Sequence, residues 1–251
     1  MKDKKHRIVL LISVFIIMVG CLIWPSQLII EDIVVEDVIV EDIEDVAEVE
    51  EPIVDLGSQD PFEKLPFTPQ APMAEWDNPI FQDGCEEASS LMVVYWALGK
   101  ELNQDIARQE IIAMANYQEE KLGFAEDTSA DDTATWLIKG YFKYDKTEVK
   151  KEIQIEDIIK ELQLGRIVIV PADGQLLGNP YFTVPNPERH NLVIRGYDPD
   201  KREFITNDPG TKRGVLYRYD QDVLYNAIRD YPSGYHKPIT RIEKTMILVW
   251  K

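Results

Sequence analysis

At 251 residues, with 45% hydrophobic and 10% aromatic content, the chain has material for one core of ordinary size, and nothing in it argues for two. A formal net charge of -18 argues against nucleic acid as a partner, because phosphate binding draws its affinity from Lys and Arg. That charge is unevenly spread, and the unevenness divides the chain.

Residues 1–30 begin with Lys2, Lys4, Lys5 and Arg7 against Asp3, and then run without formal charge over the 17 residues from Ile8 to Trp24. As a helix such a run spans roughly 25 Å, near the minimum for crossing a bilayer. The basic flank precedes it and an acidic stretch follows, so the N-terminus is expected in the cytoplasm and the remainder outside. Residues 1–30 are therefore read as a membrane anchor or a signal segment. The anchor is favoured because no small-residue cleavage site follows the apolar run. This predicts a single-pass protein of the cell membrane with an extracytoplasmic domain, or a secreted one if the segment is cleaved. A lipidated Cys21 is a third option, but Met18 and the apolar residues beyond Cys21 fit that pattern poorly.

Residues 31–60 hold 13 acidic residues and no basic or aromatic one. Like charges at this density repel and oppose collapse, which predicts a solvated, disordered stalk. The folded domain is expected over residues 61–251.

Within it, the stretch Gln70–Lys100 has a helical plan. Ala88, Leu91, Met92, Tyr95 and Leu98 recur at steps of three and four, predicting one buried face of a helix over Gly84–Leu98 that Gly99 ends. Asp83, three residues before Glu86, reads as a capping box for its start. Cys85 then falls in the first turn, where free amides and the helix dipole favour negative charge and lower a thiol pKa. A small buried residue is the alternative reading of a lone cysteine, and Glu86 and Glu87 oppose a thiolate unless their side chains point away. No disulfide is expected, because the other cysteine, Cys21, lies in the apolar N-terminal segment. Structural zinc is not expected either: beyond that segment there are one Cys and two His, too few for a four-ligand site.

A cysteine nucleophile needs a base. His190 opens a predicted β-hairpin, with an apolar strand Leu192–Tyr197, a turn at Asp198–Lys201 and a return strand Glu203–Asn207. A loop centred on Pro199 and Asp200 sets His190 opposite Pro209, and so puts Asp208 within reach of the ring to orient it. Asn207 is the alternate orienting residue, since the two side chains face opposite ways. A surface or capping role is the alternative for His190. His236, in the polar run Ser233–Pro238, reads as an exposed loop residue.

Taken together, the Gln70–Pro72, Gly84–Met92, His190–Asp198 and Asn207–Gly210 segments resemble the bacterial papain-like cysteine peptidases related to bacteriocin-processing, double-glycine leader peptidases. The likeness covers roughly Phe67 to the C-terminus. It implies an α+β fold in which an N-terminal helical half carrying the nucleophile packs on an antiparallel sheet carrying His and Asp. It further implies Cys85 as nucleophile, His190 as proton shuttle, Asp208 as its orienting acid, and Gln70 as an oxyanion-hole donor beside the Cys85 amide. Gln82 is the alternative to Gln70, which stands 15 residues ahead of Cys85.

The remaining elements fit such a plan. Helices are expected over Asn103–Lys121, Ser129–Phe142, Ile155–Leu164 and from an Asp220 cap to Ile228; strands over Arg166–Pro171, Gly214–Tyr219 and Lys244–Trp250. The long segment Ala172–Arg189 is expected to form a groove wall or lid, and Trp76, Trp96, Trp136 and Tyr181 either line a groove or pack in the core. The predicted activity is cleavage of a peptide or isopeptide bond in a peptide or protein substrate, with no cofactor or metal implied. The alternatives are acyl transfer from the same thioester, as in transglutaminase-like enzymes, and a non-catalytic cell-surface binding module.

Overall fold

The computed structural model describes residues 60–251. The expected anchor (1–30), the expected stalk as far as residue 59, and Cys21 lie outside the described residues, among which no helix is long and apolar enough to cross a membrane.

A short helix α1 (Pro79–Gln82) leads into α2 (Cys85–Leu98), followed by α3 (Gln104–Leu122) and α4 (Ala130–Asp132). The chain runs on from α4 as a π-helix over Thr133–Tyr141, whose last amides reach back five residues, as from Phe142 to the Leu137 carbonyl. Then come β1 (Thr147–Lys151), α5 (Ile155–Gln163), β2 (Ile167–Ala172), α6 (Gly174–Leu177), β3 (His190–Asp198), β4 (Glu203–Asn207), β5 (Tyr217–Asp220), α7 (Gln221–Ala227) and β6 (Thr245–Val249). The strands form one antiparallel sheet in the order β1-β6-β2-β3-β4-β5. This is the expected α+β architecture, helices first and sheet second.

Helix α2 departs from the single buried face that its periodicity predicts. Every residue from Cys85 to Trp96 is buried, while Leu98, assigned to that face, is 45% exposed. The cause is the packing around the helix: Ala88, Leu91 and Tyr95 meet Ala107, Ile111 and Met114 of α3, whereas Met92, Val93, Val94 and Trp96 join the larger core over the sheet. A helix covered on all sides carries little amphipathic signal. Behind it, β2 and β6 are buried along their whole length, and their near-continuous apolar sequences reflect that position.

The start of α2 also differs from expectation. Gly84, not Asp83, is the N-cap, and it supplies no side-chain bond. Asp83 instead closes α1, its amide donating to the Pro79 carbonyl. A side chain at position 84 would press on the Ile80 carbonyl at 2.8 Å, so a glycine lets the two helices follow one another this closely. The end is as predicted, with Gly99 in the left-handed conformation at φ 65°.

Strand β1 was not expected from the sequence. It is a short edge strand of Thr147, Glu148, Val149, Lys150 and Lys151, and charged side chains at an edge mask the strand pattern while discouraging further pairing. Helices α1 and α6 are single turns that periodicity does not reveal.

Candidate active site

The hairpin β3–β4 sets the position of His190. Its loop is the four residues Pro199–Arg202, with Arg202 at φ 55°, which pairs Asp198 with Glu203, two places beyond the register expected for a two-residue centre. A bulge at Arg195 returns one residue, so Val193 pairs with Asn207 at the far end. The Arg195 guanidinium donates to the Asp60 carboxylate at 2.6 Å and the Phe62 carbonyl at 2.5 Å.

Beyond Asn207 the chain turns back on itself, and Asp208 swings under His190. The His190 Nε2 and Asp208 Oδ1 are 2.7 Å apart, and both residues are buried. Asn207 faces the other way, donating to the Pro66 carbonyl at 3.2 Å and accepting from the Leu216 amide at 3.3 Å. Asp208 accepts at every lone pair within reach: Oδ1 also takes the Gly210 amide at 2.9 Å, and Oδ2 takes Tyr219 Oη at 2.6 Å and Asn179 Nδ2 at 3.3 Å. Burial alone would raise the Asp208 carboxyl, but His190, Tyr219 and the Gly210 amide outweigh it and hold the group below its ordinary range. The same burial and the facing carboxylate push Tyr219 far up, so it stays a donor. Phe182 sits edge-on to the imidazole at 5.1 Å between ring centres, and Gly210 leaves the room the ring occupies.

Cys85 lies at the first turn of α2, which packs against β3, with Ser89 Oγ donating to the Asn191 carbonyl at 3.3 Å. Cys85, His190, Gln70 and Gly210 all line one cleft of about 460 Å³, walled on one side by the Phe182–Arg189 part of the long loop and on another by Asp83, Asp127 and His236. An adjoining hollow of about 940 Å³ shares Trp76, Thr183 and Gly210 and includes Phe67, Met73 and Tyr181. Trp76 and Tyr181 thus line the groove, whereas Trp96 is in the core. Trp136 is half-buried.

Gln70 is buried in this cleft, and its Nε2 donates to the carbonyls of Phe81 at 3.0 Å and Gln82 at 2.7 Å. Gln82 also lines the cleft, with its Nε2 turned to the Trp76 carbonyl at 2.8 Å. His236 is exposed, stacked on Tyr235, and its amide donates to Asp127 at 2.7 Å.

The structure thus brings Cys85, His190, Asp208 and Gln70 together from segments far apart in sequence. The model of the Peptidase C39-like family matches residues 63–234, more than half of the chain and all of the cleft except His236. The chain belongs to the C39-like peptidase family. Its membership supports a cysteine peptidase function at the level of the family. Among solved structures, one from Bacillus anthracis described as C39-like aligns with a TM-score of 0.48 at 17% identity, covering 74% of this chain and 94% of that one. No curated protein matches.

Three polar residues that sequence reasoning missed surround Asp208 and Glu86 beside this cleft. Asn179 lies in the loop before β3, Tyr219 on β5 and Tyr231 after α7. Asn179 and Tyr219 fix Asp208, and they also bond each other at 2.8 Å. Tyr231 reaches the neighbour of Cys85, Glu86, at 2.7 Å. No local spacing links any of them to Cys85 or His190, so no sequence signal marks them.

Proposed function

We propose that the chain is a membrane-anchored cysteine peptidase that cleaves a peptide or isopeptide bond through Cys85, His190 and Asp208. The observation that carries this reading is the buried His190–Asp208 pair opening on the same cleft as Cys85. Asp208 accepts the Nε2 proton of His190, so in the neutral ring Nδ1 holds the free lone pair. Nδ1 takes the thiol proton as Sγ attacks the scissile carbonyl, and returns it to the leaving amine when the tetrahedral intermediate collapses to a thioester. Water then attacks the thioester with the same nitrogen as base, and the thiol is restored.

The oxyanion would face the amide at the start of α2, where the helix dipole is favourable. Gln70 is the second donor in this reading. Both of its amide hydrogens are held by the Phe81 and Gln82 carbonyls, so one of these bonds is exchanged for the oxyanion as the intermediate forms.

The test is hydrolysis of a peptide library by the detergent-solubilised full chain, with cleavage read by mass spectrometry. Cys85→Ala and His190→Ala are expected to lose about 10³-fold or more in rate. An acyl adduct on Cys85 should be trapped in a rapid acid quench. Cleavage that survives Cys85→Ala would sink the reading.

Residues 1–30 are read as the anchor, 31–60 as the stalk and 61–251 as the peptidase domain, which places the cleft outside the membrane. The supports are the uncharged run Ile8–Trp24, its basic N-terminal flank and the acidic stretch after it. In membranes from expressing cells the chain is expected to stay in the pellet at pH 11 and to be digested by protease added from outside. Release into the alkaline supernatant at full length would contradict an anchor.

A further inference from the structure

Glu86, the residue next to the nucleophile, is buried and lies within reach of three hydrogen-bond donors. Cys85 Sγ is 2.9 Å from its Oε2, Tyr231 Oη is 2.7 Å from its Oε1, and the Thr128 amide is 3.3 Å from the same oxygen. Each partner of its two oxygens is a donor, so the carboxyl acts as an acceptor throughout; burial pushes its pKa up, and the Cys85 and Tyr231 bonds work against that rise. Its neighbour Glu87 differs. It meets Gln118 through one oxygen, while the other is buried without a partner, and burial together with the nearby Glu86 pushes its pKa well up. Tyr231 also approaches the His190 carbonyl at 3.4 Å, so a single hydroxyl ties Glu86 to the strand that bears the base.

We propose that Glu86, held by Tyr231, is a positioning residue that parks Cys85 as a neutral thiol turned away from His190 until the cleft is occupied. The proposal rests on Cys85 being the nucleophile. In the parked state the S–H proton lies on the Glu86 bond; in the reactive state Sγ turns to the free Nδ1 of His190, the proton passes to that nitrogen, and a thiolate and an imidazolium result. A carboxylate at 2.9 Å opposes that thiolate, so the parked thiol resists alkylation and oxidation. The groups facing Sγ agree with this. Glu86, Glu87 and Asp127 lie on the acidic side, Asp127 is itself paired with Arg189 at 3.5 Å, and His190 shares the cleft. Burial first, and then Glu86, push the thiol well above its ordinary range.

The experiment is the rate of iodoacetamide labelling of Cys85 against pH on the folded full chain, read at Cys85 by mass spectrometry because the chain has a second cysteine, Cys21. Glu86→Gln keeps the shape and removes the charge. It is expected to label about tenfold faster at a fixed pH on the rising limb, equal to a shift of one pH unit towards acid. Tyr231→Phe removes a donor that favours ionised Glu86, and is expected to shift the same way by less. A labelling profile unchanged or moved towards alkali in Glu86→Gln overturns the proposal. If Glu86→Gln fails to fold, Tyr231→Phe decides, and no acid shift in it overturns the proposal equally. None of these arms needs a substrate, so they fail independently of the peptidase reading. That reading falls instead if Cys85→Ala leaves hydrolysis intact.

Discussion

Replacing Asp208 by alanine is expected to lower kcat for peptide hydrolysis by about 10³-fold or more, whereas Asp208→Asn should lose only about 10- to 100-fold. The asymmetry follows from what each oxygen meets. Oδ1 takes both His190 Nε2 and the Gly210 amide, two donors that only an acceptor satisfies. Oδ2 meets Tyr219 Oη, a hydroxyl that can reverse and accept. An asparagine therefore settles with its oxygen towards His190 and its amide towards Tyr219, at the cost of one contact with Asn179. The His190 tautomer is kept and only the negative charge facing the imidazolium is lost, a charge-assisted bond of about 1.5–3 kcal/mol. Alanine removes the acceptor altogether and leaves the buried Nε2 proton without a partner. Steady-state kinetics on both variants, with circular dichroism to confirm folding, make the comparison. Equal losses in the two would mean that charge, and not orientation, is what Asp208 contributes.

Gly214→Ala is expected to destabilise the domain by about 3 kcal/mol or more and to take activity with it. After β4 the chain folds into a tight loop in which the Asp208 amide donates to the Gly214 carbonyl at 2.9 Å and the Gly214 amide to the Thr211 carbonyl at 3.1 Å. A Cβ at 214 would fall on the Asp208 carbonyl, well inside contact distance, and backbone atoms cannot turn aside as a side chain can. The loop must open, and Asp208 moves with it. For a domain of this size the loss corresponds to a fall in Tm of about 6–12 °C. Gly165→Ala is the control. Its φ of 73° is strained for alanine, at roughly 1–2 kcal/mol, but its Cβ would meet nothing within 4 Å. A Gly214→Ala protein as stable as the control would show that the loop yields where the structure has it closed.

Sequence by itself was enough for the parts of this protein that depend on neighbours in the chain. The C-terminal end of α2 follows from Gly99, and although the expected Asp83 cap is replaced by Gly84, the first turn of that helix is where Cys85 is found. The hairpin follows from two apolar runs about a polar turn, and strand alternation already separates Asp208 from Asn207. In the structure Asp208 faces His190 and Asn207 does not. Even the register error was small, because a longer loop and a bulge shift it in opposite senses.

Only the tertiary structure decided what surrounds these elements. Whether α2 is covered on one face or on all depends on α3 and the sheet arriving from either side, and no period within 14 residues records that. The same holds for the site's polar shell. Tyr231 stands 145 residues from Glu86, and Asn179 stands 29 from Asp208. Glu86 itself reads in sequence as the far end of a capping box and as a charge opposed to a Cys85 thiolate, and it becomes a buried acceptor for the Cys85 thiol where Tyr231 and the Thr128 amide close over it. Local spacing specifies direction along a helix or strand. Burial, and with it the strength of every charge near Cys85, is a property of the assembled layers.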